Sequence, residues 1–113
     1  MSLVGDRTAI ATALSTVDGV TGHPTRPTVL TPGDAWPLLG PLDRADGYSF
    51  TATWRVFVVL PPDEIAASEW LDAHVDGLAD ALLPVGFVDQ FVPVAVTTEA
   101  GDQLAIQITM RSE

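Results

Sequence analysis

A single change of periodicity constrains this chain more than any other feature. Tyr48, Phe50, Ala52, Trp54, Val56, Val58 and Leu60 recur at every second position. That period places them on one face of a β-strand. Ser49, Thr51, Thr53 and Arg55 fall on the other face, which turns apolar only at Phe57 and Val59. Pro61 and Pro62 then stop the strand, because proline has no N–H to give to a ladder. Asp63 and Glu64 suit the positive end of a helix dipole. From there to Leu83 the period is helical. Ala67, Trp70, Leu71, His74, Val75, Leu78, Ala81 and Leu82 share one face, and Glu69, Asp72, Asp76 and Asp80 share the opposite one. Pro84 and Gly86 end the helix. Packing the strand's apolar face against the helix's apolar stripe removes both from water. Each fully buried Leu, Val or Phe contributes roughly 1.5–3 kcal/mol.

The remaining segments are arranged around this unit. Residues 3–17 predict a first helix, with Leu3, Ile10, Leu14 and Val17 on one face and Val4 and Ala11 at its edge. Thr8, Thr12 and Ser15 lie opposite, and Gly19 is the stop. Arg7 falls inside the apolar stripe. It either snorkels to water or forms an ion pair with another subunit. Residues 20–47 form a Pro/Gly-rich, partly extended arm holding Pro24, Pro27, Pro32, Pro37 and Pro41. Within it Thr28–Leu30 and Ala35–Leu39 are candidate short strands, with Pro37 confining the second to an edge or bulge. Residues 43–47 are expected to turn into the long strand. Such an arm is either a surface loop or a segment that orders against a neighbouring subunit.

Two further strands close the chain. In residues 87–98, Val88, Val92, Val94 and Val96 alternate with Asp89, Phe91, Pro93 and Ala95. In residues 103–111, Leu104, Ile106, Ile108 and Met110 alternate with Ala105, Gln107, Thr109 and Arg111. Glu99–Asp102 supplies the turn, with Gly101 free to take a positive φ. The expected architecture is α+β: a mostly antiparallel sheet with two helices packed on one face.

At 113 residues the chain, 1–113, is expected to form one domain with one core. It lacks cysteine, which excludes a disulfide framework, thiolate catalysis and zinc–cysteine sites. Its only histidines are His23 and His74. No apolar run is long enough to span a membrane, and no basic region followed by an apolar run marks a secretory signal. The formal net charge is −10, all five basic residues are arginine, and neither lysine nor asparagine occurs, a bias of GC-rich genomes. This acidity argues against direct nucleic-acid binding, which needs a basic patch. It suits a surface that DNA slides past.

No nucleophile elbow, P-loop or zinc-protease motif is present. Asp72, Asp76 and Asp80 have a spacing that lets carboxylates share a divalent cation, although a charged row opposite an apolar stripe is more simply a solvated face. His74 lies on the apolar stripe, where a core histidine with one hydrogen bond is expected before a catalyst. No cofactor is expected. Trp36, in the arm, is the tryptophan expected to pack on a partner subunit. Arg7, Asp34, Trp36, Leu38 and Leu39 are the candidate subunit-contact residues.

Several of these segments carry a family resemblance. Gly33-Asp34-Ala35-Trp36-Pro37, the strand Thr53–Pro61, the helix Trp70–Leu78 and the closing alternating strand resemble the tail terminator proteins of long, non-contractile tailed phages of actinobacteria. The resemblance covers nearly the whole chain in size and order. It implies an α+β fold like that of the lambda tail terminator. It also implies a hexameric ring on the head-proximal end of the tail tube, where the ring stops tube polymerisation and meets the head–tail connector. DNA passes through the lumen without sequence-specific binding. The resemblance implies a virion location, with assembly in the host cytoplasm, and brings no cofactor or catalytic residue. Six copies would carry a formal charge of about −60. If Glu69, Asp72, Asp76 and Asp80 face the lumen, they repel the DNA backbone. If they face outward, they serve solubility. The alternative readings are a head–tail connector or head-completion protein and, in a different class, an acidic DNA-mimic binding module.

Overall fold

The structure, a computed structural model, describes residues 2–44, 47 and 49–112. Its elements in chain order are α1 (Leu3–Leu14), β1 (Thr21–Gly22), β2 (Asp34–Arg44), β3 (Phe50–Val59), α2 (Glu64–Leu82), β4 (Phe87–Thr98) and β5 (Gly101–Ser112). The strands form one sheet in the order β1-β2-β3-β5-β4. β1 pairs parallel with β2, and the other three pairings are antiparallel. The fold is α+β, as the periodicities predict.

The central strand and second helix form where expected. Asp63 caps α2 by accepting the Ala66 N–H at 2.9 Å, which satisfies one of the helix's free donors. Ala52, Trp54, Val56 and Val58 of β3 meet Ile106, Ile108 and Met110 of β5 under Ile10 and Leu14 of α1 and Ala67, Leu78 and Leu82 of α2. Trp54 is fully buried, and its indole N–H donates to the Ser112 hydroxyl at 3.0 Å. Deep in this core a polar atom is thus satisfied, as burial requires. Tyr48, expected to open the strand, lies outside the described residues, and β3 is described from Phe50.

Five expectations are corrected. α1 ends at Leu14 rather than Val17, because the Thr16 and Val17 N–H groups reach back only three residues, and the Thr16 hydroxyl takes the Ala13 carbonyl. Thr28–Leu30 is not a strand; Leu30 instead turns inward as a buried side chain. The strand expected over Ala35–Leu39 extends from Asp34 to Arg44, with a register shift between Leu39 and Leu42. Pro37 is tolerated because β1 pairs only with Asp34 and Ala35, leaving the outer side of β2 open at Pro37. In the expected 43–47 turn, Asp43 and Arg44 continue β2, and Ala45 and Asp46 lie outside the described residues.

The fifth correction concerns β4. Its pairing with β5 shifts between Val88 and Gln90, so Asp89 is an extra residue in the strand. The bulge changes the phase. Val88 joins Phe91 on the helix-covered side, while Val94 and Val96 belong to the opposite side. The β4–β5 turn is tight, with Gly101 at φ 112°.

The arm supplies a second, smaller core on the sheet's other face. Leu30, Trp36, Val59, Val96 and Ala105 are buried there against Phe57 and Val94. Gly33 anchors the arm's return into β2. Its φ is 94°, its N–H donates to the Val59 carbonyl, and its own carbonyl accepts the Thr21 N–H. A Cβ there would meet the Gly19 carbonyl oxygen at 2.3 Å, so glycine is required on two counts.

Candidate assembly surfaces

Four of the five candidate contact residues are committed within the chain. The Arg7 guanidinium neither snorkels nor projects. It donates to the Pro24 and Pro37 carbonyls, both at 3.2 Å, and lies 5.3 Å from the Trp54 ring centroid. Asp34 accepts the Thr31 N–H at 2.9 Å and the Thr31 hydroxyl at 3.0 Å, and its other oxygen sits 3.1 Å from His23 Nε2. Burial works to raise the Asp34 pKa. The hydrogen bonds from Thr31 and His23, together with the charge of His23, outweigh it and hold the carboxyl below its ordinary value. Trp36 is 3% exposed and stacks on Phe57 with centroids 5.6 Å apart, so its partner is this chain rather than a neighbour. Leu39 is half-buried against the main core. Leu38 alone is exposed, at 41%.

Leu38 leads to a feature that sequence reading missed. In the sheet register, Leu38 of β2 lies beside Arg55 of β3, which lies beside Thr109 of β5, which lies beside Gln90 of β4. This row crosses four strands on the face away from the helices. The next row holds Thr53, Arg111 and Phe87. The arm covers one end of this face, over Trp36 and Phe57, and stops short of these two rows, where Arg55, Gln90, Arg111 and Phe87 are exposed.

Most of the arginines are held within the chain, and that face also carries Asp89 and Asp43. Arg26 donates to the Thr97 carbonyl at 2.6 Å and lies 5.7 Å from the Trp36 ring. Arg44 donates to the Gly47 carbonyl and covers Phe50 at 4.9 Å. Arg111 grips Asp89 with two hydrogen bonds, 2.9 and 3.0 Å, and covers Phe87 at 4.9 Å. With Arg7, four of the five arginines therefore pair a ring with an acceptor. Arg55 does neither among the described residues, and it is exposed in the middle of the uncovered face.

The outer row of α2 is acidic. Glu69, Asp72, Asp76 and Asp80 are all exposed, as the helical period predicts. Ile65 and Leu83 continue the same stripe at either end at spacings of three or four residues, and they are 70% and 69% exposed. Among the described residues no group of three or more His, Asp or Glu side chains is arranged to hold a metal ion. His74 is half-buried, stacked on Trp70 at 3.9 Å. Its ring nitrogens face two carbonyls, Trp70 at 2.7 Å and Asp18 at 3.1 Å, rather than the single partner expected. It ties α2 to the turn after α1. No helix among the described residues is long and apolar enough to cross a membrane. Compared with protein-family models and with curated proteins, the sequence matches none.

Proposed function

We propose that this chain is a structural protein of a phage virion, a tail terminator. In this reading it caps the head-proximal end of the tail tube as a ring of six copies, stops tube polymerisation and forms the junction to the head–tail connector. It works without catalysis or cofactor, and DNA passes through the ring unbound. The observation that most supports the reading is the agreement between the resembling segments and the scaffold. Those segments form the start of β2, most of β3, the middle of α2 and β5, and they assemble into an α+β fold of the kind the resemblance implies. The excess of acidic over basic residues, 15 against 5, supports passage of DNA without retention.

The test is tube growth in a purified system. Tail tube protein polymerising in the presence of this chain is expected to give tubes that stop growing, with the chain bound at one end only. Tube lengths unchanged at saturating chain contradict the proposal. A chain that leaves tube growth untouched but binds the head portal complex instead supports the connector reading.

A further inference from the structure

A groove of about 500 Å³ lies between the arm, the start of β2 and the end of β4. Trp36, Leu38 and Phe57 line it from β2 and β3, and Ala95 lines it from β4. Arg7 and Arg26 are its only charged lining residues. In a chain with 15 acidic and 5 basic residues, one groove thus draws two arginines and no carboxylate. Both guanidiniums keep free donors. Arg7 uses one nitrogen, on the Pro24 and Pro37 carbonyls, and Arg26 uses one, on the Thr97 carbonyl. The carboxylates nearest in sequence to the lining residues are Asp6, Asp34 and Glu99. Asp34 is held by Thr31 and His23, and none of the three pairs with Arg7 or Arg26. We propose that this groove binds an extended peptide of another protein, with an apolar side chain on Leu38 and Phe57 and an acidic side chain against Arg7 and Arg26.

The edge of β4 is the reason for an extended ligand. β4 has β5 on one side and no strand on the other. The Thr97 carbonyl takes the Arg26 side chain, so it points away from β5. In an antiparallel strand the N–H and C=O of a residue point the same way, and the direction alternates along the chain. Ala95 and Pro93 therefore also face outward, and both are exposed. At such a position the missing N–H of Pro93 costs the sheet no bond. Ala95 keeps both groups, and neither has a partner beyond β5 among the described residues. An added strand pairs with an open edge through its backbone, while alternate side chains enter the neighbouring pocket. Charge narrows the occupant. A net charge of −10 repels a polyanion such as nucleic acid, whereas an isolated carboxylate matches the guanidinium fork. The chain's own open edges carry Pro37, Pro41 and Pro93, which makes a second copy a poor donor of the strand. The inference does not depend on the terminator reading. It names a peptide partner whether or not the chain caps a tube.

Amide NMR of the isotope-labelled chain tests the proposal. The probe is a short capped peptide of alternating valine and threonine with one central glutamate, compared with the same peptide carrying glutamine. The glutamate peptide is expected to move the amide signals of Leu38, Ala95 and Thr97 and to leave those of α2 in place. The glutamine peptide is expected to bind about tenfold more weakly, the effect of one hydrogen bond to a charged group. Arg26→Gln is expected to remove that preference. Ala95→Pro removes the outward N–H at a position equivalent to Pro93, and it is expected to abolish binding with the rest of the spectrum unchanged, which separates lost binding from lost fold. No shift at millimolar peptide overturns the proposal, as do equal affinities for the two peptides or binding indifferent to Ala95→Pro. Shifts at Ala95 and Thr97 on concentrating the chain alone would give the edge to a second copy, and the same shifts with a duplex DNA oligonucleotide would give the groove to a polyanion; either result overturns the peptide. The readout needs no tail tube, so its failure leaves the terminator reading standing, and failure of tube capping leaves the groove standing.

Discussion

At the residue scale, the arm is held by a few polar side chains whose partners lie far along the chain or across an irregular turn. Asp34 is the hub, joining Thr31 and His23 at the entry to β2. Because its folded pKa is lowered, the ionised form stabilises the folded state. That contribution is fully present above the unfolded value of about 3.8 and is lost as pH falls through the folded value. Asp34→Asn is therefore expected to lower unfolding free energy at pH 7 by about 1.5–3 kcal/mol, the usual range for hydrogen bonds to a charged group. The difference from the unaltered chain should shrink below about pH 3.8. Urea unfolding of both chains across that range is the check; a difference independent of pH would remove the ionised carboxylate from the account. None of this was legible in the sequence. Arg7 and Trp36 read as contacts for another subunit because nothing local satisfies them, and Asp34, although Thr31 lies only three residues away, is grouped with them. Their partners His23, Phe57, Pro24 and Pro37 become visible only once the arm is folded over the sheet.

At the element scale, the sequence carried most of the fold. β3 and α2 show clean periods of two and 3.6, and each buries a single face over most of its length, so periodicity alone located both. β4 shows why such reading stops short. Val88 and Val92 both look like members of one alternating face, and only the pairing with β5 reveals that Asp89 is an extra residue that reverses the phase. A bulge is a property of two strands, and one strand's sequence does not announce it. Glycines give the sharpest element-scale prediction. A Cβ on Gly22 would stand 2.0 Å from the Ala11 carbonyl oxygen, backbone against backbone, where β1 passes α1. Gly22→Ala is expected to cost more than about 4 kcal/mol or to prevent folding. Gly77, exposed in the interior of α2, has only Val17 within reach, at 3.9 Å. Gly77→Ala is expected to stabilise by about 0.5–1 kcal/mol, because helix propensity rises without a clash. Thermal unfolding of the two variants should move in opposite directions; equal effects would contradict the close packing of α1 on β1.

At the scale of the whole molecule, charge is distributed by layer. The exposed outer row of α2 is acidic, the sheet's uncovered rows hold Arg55, which has no partner among the described residues, and the remaining arginines are bound to carbonyls, a carboxylate and rings within the chain. The net charge and the acidic row were evident from sequence. The uncovered sheet face was not, because whether a face is covered depends on where the arm goes. The proposed role is a property of many copies, and its most direct test is electron microscopy of a lysate of the phage that the proposal takes as the chain's source, with this gene disabled. The account predicts abnormally long, headless tails, returned to normal length when the gene is supplied in trans. Tails of normal length with full heads unattached would move the role to the connector. Intact, infectious particles would contradict a place in the virion altogether.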